Sequence, residues 1–160
     1  MNKFKTEIKW GLIFVVTQIA WFLIEGLMGW HSDKIAQHDT MTMLFIPIAF
    51  LVYFLALRDK RTTLGGTMTF KEGFIAGLII TAVVTILTPL VQYLFSTVIA
   101  PDFFANKISY SVETGLMTQP KADAFFNLPS FMVMSAIFAP VMGILTSAIM
   151  AFVCKTKQAA

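Results

Sequence analysis

Charge is the scarcest commodity in this sequence. Only 13% of the 160 residues are Asp, Glu, Lys or Arg, whereas 57% are hydrophobic, with sixteen Phe and ten Met. A soluble domain carries about a quarter charged residues, and one of this length has no interior able to hide so much apolar side chain. A soluble fold is excluded. Cysteine is nearly missing as well: a lone Cys154 rules out an internal disulfide and leaves the redox compartment unmarked. No nucleophile paired with a base, no phosphate-binding glycine loop and no H-E-x-x-H pattern occurs. The expectation is therefore a protein that is not an enzyme, with no catalytic residue, no cofactor and no nucleic-acid partner. A cleavable secretory signal is not expected either, because the apolar run from Gly11 is too long for one and no small-residue cleavage site follows it.

What the chain has instead is long hydrophobic runs. The first, Trp10 to Trp30, reads WGLIFVVTQIAWFLIEGLMGW. At about 1.5 Å per residue it matches the roughly 30 Å hydrocarbon core of a bilayer, and its terminal tryptophans suit the two interfaces. The whole chain reads as a single all-α integral membrane domain, an up-down-up-down bundle of four transmembrane helices. The spans fall at about 10–30, 41–57, 73–99 and 128–153, with an exposed extracytoplasmic segment at 102–127 that holds a short surface helix. Thr69 and Glu72 form the T-x-x-E pattern of a helix start just ahead of the third span. That span is longer than a bilayer needs, so it must tilt, protrude or bend at Pro89.

The net charge of +3 acquires meaning from its distribution. Nine of the twelve Lys and Arg, including Lys3 and Lys157, fall in the N-terminus, the loop after the second span and the C-terminus. Cytoplasmic segments carry the excess of positive charge, so both termini are expected in the cytoplasm. Within the middle loop, Arg58, Lys60, Arg61 and Lys71 are candidates for contact with anionic lipid headgroups, each contributing about 1 kcal/mol near a charged surface; fixing topology would account for them equally.

Glu25 is the costly exception inside the first span, since a charged residue at a helix centre opposes insertion by about 2.5–3.5 kcal/mol. It shares one helix face with Gln18 and, on depth, one leaflet with Pro47, Pro89 and Gln92. Glu25, Gln18 and Gln92 therefore form the candidate intramembrane polar site, either a proton or cation acceptor or a hydrogen-bonded structural group. Small residues at every fourth position of the last span, Ser135, Ala139, Gly143 and Ser147, together with Gly73 and Gly77 of the third, read as helix-packing faces. The partner helix can belong to this chain or to a second copy. His31 and His38, with Asp33 and Asp39, are the one metal-like group, but their spacing matches no strong motif, and no metal is expected.

The glycine-bearing first helix with Glu25 and Gly29, the basic loop, the run Gly66-Thr67-Met68-Thr69-Phe70-Lys71-Glu72-Gly73 and the later Pro101-Asp102-Phe103 together resemble a bacterial four-span family catalogued as domain of unknown function 4199. The resemblance covers nearly the whole chain and is most specific at residues 69–73. It implies four helices and a multi-pass location in the bacterial inner membrane, and it supplies no activity and no catalytic residue. Three roles are carried forward: an accessory or scaffolding subunit, as a homo-oligomer or with a larger membrane-protein partner; a small proton- or cation-coupled transporter using Glu25; and a carrier or helper for lipid-linked sugars. Membrane lipids are partners in each.

Overall fold

A computed structural model describes residues 4–156; Lys3 and Lys157 lie outside the described residues. The described chain is helical with no strand. The elements are α1 (Lys5–Leu27), α2 (His38–Met41) between two single 3₁₀ turns, α3 (Phe45–Thr63), α4 (Phe70–Leu94), α5 (Phe103–Glu113), α6 (Gln119–Phe125) and α7 (Leu128–Cys154). A π-helical turn, Phe95–Ile99, follows α4. Four helical stretches, Lys5–Leu27, Ile35–Thr63, Phe70–Ile99 and Leu128–Cys154, are long and apolar enough to cross a membrane. Large apolar side chains stand exposed along them, Leu27 at 88% and Ile86 at 76%. Such surface would be a liability in water and is at home against lipid. This is a multi-pass membrane protein.

The helices outrun the hydrophobic runs where polar residues continue a helix past the apolar stretch. α3 extends through Arg58, Lys60 and Arg61 to Thr63. α4 starts at Phe70 because the reciprocal pair at its head forms: Thr69 N–H donates to Glu72 Oε2 (2.8 Å) and Glu72 N–H to Thr69 Oγ1 (3.2 Å). Pro47 falls in the first turn of α3, which continues directly from the preceding 3₁₀ turn. Pro89 and Pro140 lie inside α4 and α7.

By contacts the described residues fall into two compact units. One gathers α1 up to Val16, Ile46–Leu87 and the chain from Ile137 on. Its core is Leu57, Met68, Ala76, Ala151 and Cys154, with Phe54, Phe74 and Met150 against it. α4 and α7 meet here through small residues. A Cβ on Gly77 would stand 3.1 Å from Ser147 Cα, and one on Gly73 would stand 3.3 Å from Ala151 Cβ. Thr81 fills the notch left by Gly143, and its hydroxyl donates to the Gly77 carbonyl (2.9 Å) and meets Tyr53 Oη (2.9 Å). Lys60 pairs with buried Glu7 at 2.6 Å, and Asp59 accepts from Trp10 Nε1–H at 2.7 Å and pairs with Lys9.

The other unit gathers Thr17–Phe45 and Thr88–Ala136. Its core is Ile35, Phe95, Ala100 and Phe103, with Phe22, Ile99, Phe104, Tyr110 and Phe131 packed on it. The segment 102–127, read from the sequence as exposed, contains two helices and buries Phe103, Lys107, Ser111, Ala122 and Phe126. Residues 103, 107 and 111 recur every fourth position, one face of a helix, and that face turns inward.

Candidate functional site

The end of α1 builds the site. Trp21 and Glu25 are four residues apart and so lie one above the other, and the Trp21 indole N–H donates to Glu25 Oε1 at 2.7 Å. The helix then stops on Gly29, whose φ of 76° is costly for any residue bearing a Cβ. Gly29 N–H donates to the Gly26 carbonyl and Trp30 N–H to the Glu25 carbonyl, both at 3.0 Å, a Schellman termination. Trp30 folds back beside Trp21, ring centroids 6.4 Å apart. This reversal returns His31 to the last turn of the helix it has just left. No atom stands within 4 Å of a Cβ built on Gly29, so a Gly29→Ala substitution meets only the backbone penalty. It is expected to cost about 1–2 kcal/mol and to displace His31, read as a lowered thermal midpoint in detergent.

Glu25 is wholly buried, at 0% exposure. His31 Nε2–H donates to Glu25 Oε2 at 3.1 Å, and His38 Nε2 lies 4.0 Å from the same oxygen. The two imidazole centroids are 5.5 Å apart. Phe95, from the π-helical turn, stands edge-on to His31 at 5.1 Å, and Phe103 packs against His31 at 5.6 Å and His38 at 4.8 Å. Asn106 Nδ2 donates to the His31 carbonyl at 2.9 Å. On its far side His38 meets Asp39: Nδ1 and Oδ1 are 3.3 Å apart. Asp39 in turn accepts from Lys107 Nζ at 2.6 Å, and Lys107 is only 3% exposed.

The charges around the pair of rings do not balance. Glu25 and Asp39 are acids, Lys107 is the one fixed cation among these groups, and the imidazoles are neutral unless protonated. With Glu25 ionised and both rings neutral, one negative charge would be left over among aromatic side chains, where an uncompensated carboxylate is costly. A neutral His38 that donates Nδ1–H to Asp39 carries its lone pair on Nε2, facing Glu25 Oε2. Two electron-rich atoms face each other across a gap that fits a cation.

The family model described as "Protein of unknown function (DUF4199)" matches residues 9–156. The chain belongs to this family. No curated protein and no solved structure matches it. The DUF4199 match spans every residue of the cluster, from Trp21 to Lys107.

Against this DUF4199 site the sequence-derived candidates sort unevenly. Glu25 is central, whereas Gln18 and Gln92 are half-buried and are not among the described groups that meet its carboxylate, which are Trp21, His31 and His38. Asp33 lies on the exposed side of the turn. Gly73, Gly77, Gly143 and Ser147 pack α4 on α7 within one chain; Ser135 and Ala139 are half-buried, and the Ser135 hydroxyl donates back to the Phe131 carbonyl at 2.6 Å. Of the basic candidates, Lys60 is bound to Glu7, and Arg61 Nη1 donates to the Cys154 carbonyl at 3.4 Å. Arg58 lies over the Phe54 ring while remaining exposed, and Lys71 is exposed. Trp21, Asp39, Asn106 and Lys107 were not singled out as one site with Glu25. The four-residue step from Trp21 to Glu25 is legible in the sequence; the approach of Lys107, 68 residues from Asp39, is not.

Proposed function

We propose that the chain is a non-catalytic, multi-pass protein of the bacterial inner membrane, with both ends cytoplasmic, that couples its state to a cation bound at Glu25, His31 and His38. The observation that carries this reading is the convergence of His31 Nε2, at 3.1 Å, and His38 Nε2, at 4.0 Å, on one oxygen of the fully buried Glu25. A purely scaffolding role needs no such arrangement. That role needs only small-residue faces and short loops, and Gly73, Gly77, Gly143 and Ser147 already have partners inside this chain. Arg58 and Lys71, exposed on the basic side, are the residues left for anionic headgroups.

A cation bound by the folded protein raises its thermal midpoint, so a thermal-shift screen of chelator-stripped protein in mild detergent against single added cations tests the reading. At least one cation is expected to raise the midpoint of wild type, and Glu25→Gln, folded by circular dichroism, to lose that rise. No cation raising the wild-type midpoint, or an equal rise in Glu25→Gln, would sink it.

A further inference from the structure

We infer that the cluster is a binding site for one divalent transition-metal ion of the zinc class, with Glu25 Oε2, His31 Nε2 and His38 Nε2 as ligands and a fourth position open. This deepens the cation-site reading and rests on it. Each of the three residues offers a donor atom within 4.8 Å of the others. Donors bonded to one tetrahedral ion at about 2.0–2.2 Å stand about 3.3 Å from one another. The Glu25–His31 separation of 3.1 Å already meets that, the Glu25–His38 separation of 4.0 Å is under 1 Å too long, and the two imidazole nitrogens, within 4.8 Å of each other, close by at most about 1.5 Å.

The surroundings carry the second argument. Metal-bound histidines are held through their other ring nitrogen by a carboxylate or carbonyl, which fixes the tautomer. His38 has this arrangement, with Nδ1 on Asp39 and Asp39 anchored by Lys107. Glu25 is steadied through its second oxygen by Trp21, and the backbone of His31 by Asn106. His31 Nδ1 is buried and has no hydrogen-bond partner. Its proton can therefore move from Nε2 to Nδ1, baring Nε2 for a metal, with no bond at Nδ1 to break.

The donor set selects the metal. Two imidazoles and one carboxylate suit zinc and its first-row neighbours. Calcium takes six to eight oxygens and magnesium a near-octahedral shell of oxygens, which one carboxylate does not supply. The dication also overcompensates the single spare negative charge, leaving the occupied site electropositive toward an anionic or neutral fourth ligand. Access is past His38, whose side chain is 14% exposed, and Asp39, at 75%.

The test uses the full chain, purified in mild detergent with a histidine-free tag and stripped with a chelator. Titration with Zn²⁺ alone is expected to give one ion per chain, and Co²⁺ alone to give the visible absorption of a four-coordinate ion. Glu25→Gln and His38→Ala should weaken Zn²⁺ binding at least 100-fold. Asp39→Asn, at a residue outside the coordination set, should keep the stoichiometry and weaken affinity about tenfold, so the inference stays testable even if a ligand variant fails to fold. Absence of Zn²⁺ binding in folded wild type, or equal affinity in wild type and Asp39→Asn, overturns the metal site. If another cation still raises the midpoint of wild type but not of Glu25→Gln in that case, the cation reading survives alone; if none does, both fail.

Discussion

Gly143→Ala is expected to lower the thermal midpoint of the detergent-solubilised protein by roughly 10 °C, corresponding to about 3 kcal/mol. The added methyl carbon would lie 2.3 Å from Thr81 Cγ2, 2.5 Å from its Oγ1 and 2.9 Å from its Cβ. Thr81 cannot rotate out of the way cheaply, because its hydroxyl is held by the Gly77 carbonyl and Tyr53, both at 2.9 Å. Relief requires α4 and α7 to separate, which strips contacts from Gly77 and Ser147 next to it. Gly26→Ala is the control: its methyl would stop 3.5 Å from His31 Nδ1, an ordinary contact. If Gly143→Ala melts with wild type while Gly26→Ala does not, the close approach of α4 and α7 is wrong.

Lys60→Met is expected to be comparably damaging, for an electrostatic reason. Glu7 is 2% exposed and Lys60 Nζ is its ion-pair partner, at 2.6 Å; its second oxygen already lacks a hydrogen bond. Removing the ammonium strands a buried carboxylate, which typically costs about 3–5 kcal/mol. Replacing both partners is milder, because no charge is left behind. The double variant Glu7→Gln/Lys60→Met should therefore regain most of the lost midpoint. A double variant as unstable as Lys60→Met alone would show that packing of the lysine stem, and not the orphaned charge, sets the penalty.

The spans were legible because lipid tolerates few sequences: four apolar runs of bilayer length leave little choice. Their ends were less so, since hydropathy reports contact with lipid and not where backbone hydrogen bonding stops. α3 continues through a basic stretch for this reason, while the start of α4, marked by Thr69 and Glu72, was readable as lying near Phe70. The segment 102–127 read as exposed because its composition is mixed and polar, whereas its inward face includes Lys107, held there by Asp39 and lying over the Tyr110 ring. Glu25 announced itself by its rarity. The two histidines stood out as a metal-like group with Asp33 and Asp39, but their meeting with Glu25 did not, because it depends on a left-handed glycine and a reversal of direction, features that act through geometry and leave no periodic trace. A glycine followed two positions later by histidine, just past an intramembrane acid, is the sequence signal that would have joined them.

The far end of α7 has a consequence for anyone handling the protein. Thr156 N–H donates to the Met68 carbonyl at 2.9 Å, and Met68 N–H donates to the Thr156 hydroxyl oxygen at 2.7 Å. The residues after the last helix thus act as a clasp on the loop that precedes α4, with Met68 locked beneath it at 1% exposure. Fusion partners and affinity handles belong beyond Thr156 on a spacer, because a junction cut at Cys154 would open the clasp and loosen the seam it fastens.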